Sequence, residues 1–259
     1  MLKDKIVLIT GASSGIGAAC AKQFAQAGAK LLLCARRFEL LHDLAEQLQE
    51  EHDADIHMFT VDVCKQAQVI NAFNDLPTGW RNIDILINNA GLAAGLESIY
   101  EADVADWEKM IDTNVKGLLY VTRAVLPQMV ERNFGHVINI GSIAGHQVYP
   151  KGAVYCATKH AVKALSEGLR QDLLGTKIRV SSVDPGAVET NFSLVRFKGD
   201  KERAAAVYEG MEPLSADDVA DAVFYCATRP AHVNIHEMII LPTDQASATM
   251  ISRHSSHKK

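Results

Sequence analysis

Short apolar runs alternate along this chain with longer stretches in which Leu, Ile, Val and Ala recur every three or four residues. The first run, residues 6–10, opens onto Gly11-Ala12-Ser13-Ser14-Gly15-Ile16-Gly17, and residues 18–27 then have helical composition. A second apolar run covers 30–34. In 37–51 the residues Leu40, Leu41, Leu44 and Leu48 fall at helical spacing, and 56–61 alternates as a third strand. The same rhythm predicts a helix over 65–74, a strand over 85–88, a long helix over 105–131 and a strand over 136–140. A helix over 152–174, a strand over 178–183, a helix over 216–227 and a closing strand over 238–241 complete it. Strands of nearly continuous apolar character, separated by helices, are buried on both faces. The pattern therefore predicts an α/β fold, a Rossmann-type doubly wound parallel sheet of about seven strands with helices on both sides.

No linker, repeat or low-complexity stretch interrupts the alternation, so residues 1–259 read as one domain. The long irregular stretch is 184–215. It follows the carboxyl end of a strand, where open α/β sheets bind ligands, and reads as a substrate lid carrying a helix near 201–209. Residues 246–259, with their basic ending, read as a mobile tail.

Composition narrows the partners. The 259 residues are 48% apolar and 22% charged, with a net charge of -5, which argues against a nucleic-acid surface. The five cysteines form no Cys-x-x-Cys pair and read as reduced, as in a cytoplasmic protein. The ten histidines are dispersed; His232 and His236 stand four apart without a carboxylate or thiolate cluster, so no metal is expected. The opening residues lack a secretory pattern, and no apolar span of about 18 residues exists to cross a bilayer.

Three groups of residues carry chemistry. Gly11, Gly15 and Gly17, between the first strand and first helix, allow a sharp turn, close approach to a phosphate and amides presented at a helix start. About 20 residues on, where an NAD-binding protein presents a carboxylate to the ribose, the chain reads Cys34-Ala35-Arg36-Arg37. Two guanidinium groups suit a 2'-phosphate, which points to NADP(H). Finally, Tyr155 and Lys159 are one helical turn apart, and Ser142 stands at the end of the preceding strand. A free Tyr titrates at about 10, and a neighbouring ammonium favours the phenolate, so the pair reads as a proton donor with Ser142 offering a hydroxyl to the same substrate oxygen.

Together these residues resemble the short-chain dehydrogenase/reductase family. Thr10-Gly-Ala-Ser-Ser-Gly-Ile-Gly17 is similar to its cofactor turn and Asn88-Asn-Ala-Gly91 to its sheet-stabilising motif. Asn114, Ser142, Tyr155 and Lys159 are similar to its catalytic set, and Pro185-Gly186 to its turn beside the nicotinamide. The resemblance implies that Tyr155 protonates a carbonyl oxygen or takes an alcohol proton while the nicotinamide carries hydride. Lys159 would lower the Tyr pKa and hold the nicotinamide ribose, Ser142 would polarise the substrate oxygen, and Asn114 would position a water linking Lys159 to solvent. It also implies a cofactor path over Ser13, Ser14, Ile16, Asp62, Val63, Asn88, Ala90 and Gly91, with Val188 and Thr190 in the run that covers the nicotinamide amide.

More narrowly, residues 106–114, 197–200 and 230–235 resemble a subgroup of NADP-dependent 3-hydroxy acid dehydrogenases, which act on L-allo-threonine, serine, 3-hydroxypropionate or small semialdehydes. Such an acid needs a cation or amide at its carboxylate, and Gln147, Arg196 and Lys198 are the candidates. Reduction of a 3-oxoacyl thioester, steroid or sugar is the alternative on the same scaffold. A dinucleotide sensor that no longer turns over substrate would be expected to lack one of the catalytic residues, and none is missing. Helices around 115–129 and 161–174 are apolar on more than one face, which suggests subunit contact, and the resemblance implies a homotetramer.

Overall fold

The structure, a computed structural model, describes residues 2–254. Seven strands, all parallel, form one sheet: β1 (Ile6–Thr10), β2 (Lys30–Ala35), β3 (Ile56–Thr60), β4 (Ile85–Asn88), β5 (Gly135–Ile140), β6 (Ile178–Pro185) and β7 (Glu237–Ile240). Their spatial order is β3-β2-β1-β4-β5-β6-β7. The helices are α1 (Gly15–Gln26), α2 (Phe38–His52), α3 (Gln66–Asn74), α4 (Val104–Ile111), α5 (Leu118–Arg132), α6 (Ala153–Asp172), α7 (Phe192–Arg196), α8 (Lys201–Ala206) and α9 (Ala216–Thr228).

Successive side chains of a strand face opposite sides, and both sides of this sheet are covered. Val7, Ile9, Leu31 and Leu33 pack with Phe24 of α1, Leu41 and Leu48 of α2 and Val219 and Val223 of α9. Leu8, Leu32 and Leu86 pack on the other face with Val69 of α3 and Val121, Val125 and Met129 of α5. Each such buried aliphatic side chain contributes about 1.5–3 kcal/mol. This double burial is why the strands read as unbroken apolar runs rather than alternating ones.

Three expectations change. The long helix predicted over 105–131 is two helices joined by a π turn, Asp112–Gly117. Gly117 there lies so close to β3's end that a Cβ would stand 2.8 Å from Val63 Cγ2, and an apolar periodicity carries no trace of the extra residue in the turn. The lid holds two short helices, α7 and α8, and α8 ends at Ala206 where a helix to 209 was expected. Residues 246–254, expected as a tail, fold back instead. The amide of Ser252 donates to Asp244 O at 2.7 Å, that of His254 to Gly210 O at 2.7 Å, and Arg253 reaches the carbonyls of Val207 and Glu209. Residues 255–259 of that expected tail lie outside the described residues. No helix of the described residues is long and apolar enough to cross a membrane.

Candidate active site

The strand order reverses between β1 and β4, and the connections that leave the two strands diverge there to open a crevice above their carboxyl ends. Hydrogen bonds lock its floor. Thr10 Oγ1 accepts from the amides of Asn89 and Ala90, both at 3.0 Å, while Asn89 Nδ2 donates to Thr10 O at 2.9 Å and Gly11 O at 3.2 Å. Gly11 and Gly15 have φ of +64° and +56°, the left-handed region that side chains disfavour, so the turn into α1 depends on both. Gly17 is buried below the turn and does not face the crevice; a Cβ would stand 2.5 Å from Gly11 O and 2.6 Å from Asn89 Nδ2. Its smallness lets α1 approach the floor.

Above the floor lies a cavity of about 590 Å³. One end is lined by Gly11, Ser13, Ser14, Gly15 and Ile16, by Arg36 and Arg37, and by Asp62 and Val63. Free amides at the start of α1 and a first turn without acidic residues suit an anion there. Arg37 Nη2 donates to Ser14 Oγ at 2.8 Å and Ser13 Oγ at 3.2 Å, so the guanidinium is held across the glycine turn; Arg36 lines the same rim. Ala90, Gly91, Pro185, Gly186, Val188 and Thr190 line the middle of the cavity. Asn88 does not. Its Nδ2 donates to Thr122 Oγ1 and Asn139 Oδ1, both at 2.9 Å, so the side chain ties the sheet to α5, and the neighbouring Asn89 takes the place expected of it.

The middle of the cavity is where the catalytic candidates meet. Ser142, leaving β5, caps a short 3-10 turn, Ile143–Gly145, by accepting from Ala144 N at 3.1 Å, and its hydroxyl faces Pro185 O at 3.5 Å. Tyr155 in the first turn of α6 and Lys159 one turn later line the same wall. Lys159 Nζ donates to Ile140 O at 2.9 Å. Asn114, in the π turn, accepts from Leu92 N at 2.9 Å and donates to Leu92 O at 2.8 Å and Thr158 Oγ1 at 3.0 Å. It clamps the strand that leaves Gly91 to the helix that carries Tyr155.

Burial governs the titration of this pair. It pushes the Tyr155 phenol well above the usual tyrosine range, Tyr149 adds to the rise, and the Ser142 hydroxyl and Arg196 cation oppose it. Burial also lowers Lys159, to about 8, against a rise from Asp184. Burial, rather than the neighbouring Lys159, leads the Tyr155 shift, and the Lys159 ammonium is turned to the Ile140 carbonyl.

The far end of the cavity is assembled from separate segments: Leu92 and Leu96 after β4, Tyr149 and Pro150 before α6, Phe192 and Arg196 of α7, and Ala248 and Ile251 of the returning terminus. Arg196 Nη2 donates to Tyr149 Oη at 3.0 Å and Nε to Gly95 O at 3.1 Å, and the guanidinium carbon lies 5.7 Å from the centre of the Tyr155 ring. Phe192 packs its ring edge-on to Tyr155 at 5.7 Å. Of the three cations and amides proposed for a carboxylate, only Arg196 lines the cavity. Gln147 Oε1 accepts from Ala248 N at 2.8 Å and pins the returning terminus. Lys198 is ion-paired with Asp106 at 2.8 Å on the outer surface of α4. Asn89, Tyr149 and Phe192 were not singled out by sequence; Tyr149 stands in a Tyr-Pro loop with no periodicity, and only the fold brings it to Tyr155.

Residues 5–200 match the model of the short chain dehydrogenase family. The chain belongs to the short chain dehydrogenase family. Within it, the chain is 49% identical over 244 residues to the NADP-dependent 3-hydroxy acid dehydrogenase YdfG of Salmonella typhi, spanning 94% of this chain and 97% of that one. It is 46% identical over 250 residues to the sulfoacetaldehyde reductase 2 of Chromohalobacter salexigens, spanning 96% and 98%. A solved closed form of serine dehydrogenase complexed with NADP+ superimposes with a TM-score of 0.90 at 47% identity, covering 96% of this chain and 100% of the other. The family assignment accounts for the cavity that crosses the sheet's switch point and for the Ser142, Tyr155 and Lys159 wall at its middle. Two hydroxyls at that wall and one cation beyond it can receive a small molecule with an oxygen at one end and a negative charge at the other.

Proposed function

We propose that the protein is an NADP(H)-dependent oxidoreductase that moves hydride between the nicotinamide and the carbinol carbon of a short 3-hydroxy acid, or its semialdehyde or oxo partner. NADP(H) supplies the hydride. The amides of the Gly11–Gly17 turn would hold its pyrophosphate, Arg36 and Arg37 its 2'-phosphate, Asp62 and Val63 its adenine side, and Ala90, Gly91, Pro185, Gly186, Val188 and Thr190 its nicotinamide half. Tyr155 gives its proton to the carbonyl oxygen in reduction and takes it back in oxidation, and Ser142 donates a hydrogen bond to the same oxygen. Lys159 holds a proton beneath them, and Asn114 fixes the loop that carries Gly91.

The observation that carries the substrate class is Arg196, a cation lining the same cavity as Tyr155 and seated between the Tyr149 and Tyr155 rings. A charge-assisted hydrogen bond to a carboxylate contributes about 1.5–3 kcal/mol, or roughly tenfold to a hundredfold in affinity. Among the described residues named at that end of the cavity, Arg196 is the charged one. Relatives named for 3-hydroxy acids, serine and sulfoacetaldehyde, all small and acidic or zwitterionic, support the same choice. Assembly as a homotetramer in the cytoplasm belongs to this proposal and is checked by light scattering and cell fractionation.

The test follows nicotinamide absorbance with NADPH and matched pairs of short oxo acids and their neutral methyl esters. The acids should be reduced with kcat/KM at least tenfold above the esters. Equal rates for acids and esters would remove Arg196 from substrate binding.

A further inference from the structure

Beneath the catalytic wall lies a chain of charged side chains that the hydride transfer itself does not use. Asp184, the last residue before Pro185, is 2% exposed. Its Oδ1 accepts from Ser182 Oγ at 2.6 Å and its Oδ2 faces His146 Nε2 at 2.9 Å. His146 Nδ1 in turn lies 3.0 Å from Lys163 Nζ. An ammonium can only donate, so Lys163 Nζ donates to His146 Nδ1. Lys163 also pairs with Glu237 of β7 at 3.6 Å, and His146 Nε2 lies 3.8 Å from the same carboxylate. Four elements therefore converge on Asp184: the turn after β5 with His146, β6 with Ser182, β7 with Glu237, and α6 with Lys159 and Lys163.

The carboxylate reaches the active site through one peptide unit. Gly141 lies against it so closely that a Cβ there would overlap the Asp184 carboxylate, and Gly141 N donates to Val183 O at 2.8 Å. The carbonyl of that same peptide unit belongs to Ile140 and accepts the Lys159 ammonium. Lys159 and Asp184, both buried, thus flank one peptide.

We propose that Asp184, oriented by His146 and Ser182, is the counter-charge of Lys159 and acts as a positioning residue that keeps the buried ammonium protonated during turnover. This rests on the reading of Lys159 as the proton-holding partner of Tyr155, and the physical case is independent of which substrate is used. Burial lowers Lys159 to about 8 and the nearby Asp184 opposes that fall; burial raises Asp184 in turn, and the hydrogen bonds from Ser182 and His146 oppose that rise. The sign follows. Carbonyl reduction needs the ammonium, so activity is lost as pH rises through the Lys159 pKa, and neutralising Asp184 moves that loss to lower pH.

The test is Asp184→Asn, which keeps the shape, lets the amide oxygen accept from His146 and leaves the amide nitrogen for Ser182 Oγ. In the full-length protein labelled with 15N at lysine Nζ, the Lys159 titration should move down by about one pH unit or more, the size expected when an opposite charge nearby is lost. The basic limb of kcat/KM for carbonyl reduction should follow it. His146→Ala is the second variant, and it should raise the pH at which the Asp184 carboxyl carbon titrates. An unmoved Lys159 titration in Asp184→Asn, or an unmoved Asp184 in His146→Ala, would overturn the proposal. A Lys159 titration that moves in a protein that turns over no carbonyl would uphold the coupling while overturning the proposed activity.

Discussion

The two ends of the cavity are built in different ways. The end proposed for the dinucleotide is made by consecutive βα units: a glycine turn, two arginines and an aspartate, each following its own strand within the first 63 residues. The end proposed for the substrate is made by four segments spread from Leu92 to Ile251, joined through side-chain hydrogen bonds such as Arg196 to Tyr149 and to Gly95. One end is a property of the sheet topology, the other of particular side chains. Changes at the first should therefore alter which nicotinamide cofactor is used, and changes at the second which molecule is reduced, with the wall of Ser142, Tyr155 and Lys159 common to both.

The largest expected effect comes from that shared wall. Tyr155→Phe removes the proposed general acid, a role worth about a hundred to ten thousandfold, so kcat should fall by that factor while NADPH affinity by fluorescence titration stays within about twofold. Arg196→Met should separate the ends: kcat/KM for a short oxo acid falls roughly tenfold to a hundredfold, the neutral ester and the NADPH KM are unaffected, and steady-state kinetics on the matched pair reads it. Replacing Arg36 and Arg37 together with Ala should do the converse, raising the KM for NADPH roughly tenfold to a hundredfold relative to that for NADH with little change in substrate preference. The smallest effects sharpen the boundary. Gln147→Ala and Lys198→Ala touch residues outside the cavity, and each should change the KM for the acid by less than about threefold. A tenfold rise in either would return that residue to the substrate end.

The same contrast explains what could be read from the chain in advance. The seven strands and the glycine turn are legible because they are local: apolar runs of four to six residues between helical periodicities, and Gly11, Gly15 and Gly17 within seven positions. Ser142, Tyr155 and Lys159 are legible through family resemblance and through helical spacing. The π turn at Asp112–Gly117 is not, because a single wide turn leaves the apolar period intact. Tyr149, Phe192 and the returning residues Ala248 and Ile251 are not, because nothing in their own neighbourhood says what they will face. Lys198 and Arg196 look equivalent as cations two residues apart. The last turn of α7 directs one into the cavity and leaves the other against Asp106. Asn88 and Asn89 differ in the same way, since adjacent residues leaving a strand face opposite sides.

A crystal structure with NADP+ and a short 3-hydroxy acid bound tests the account most directly. The substrate hydroxyl should lie within hydrogen-bonding distance of both Tyr155 Oη and Ser142 Oγ, with the carboxylate on the Arg196 guanidinium. A carboxylate held elsewhere, with the hydroxyl turned away from Tyr155, would contradict it.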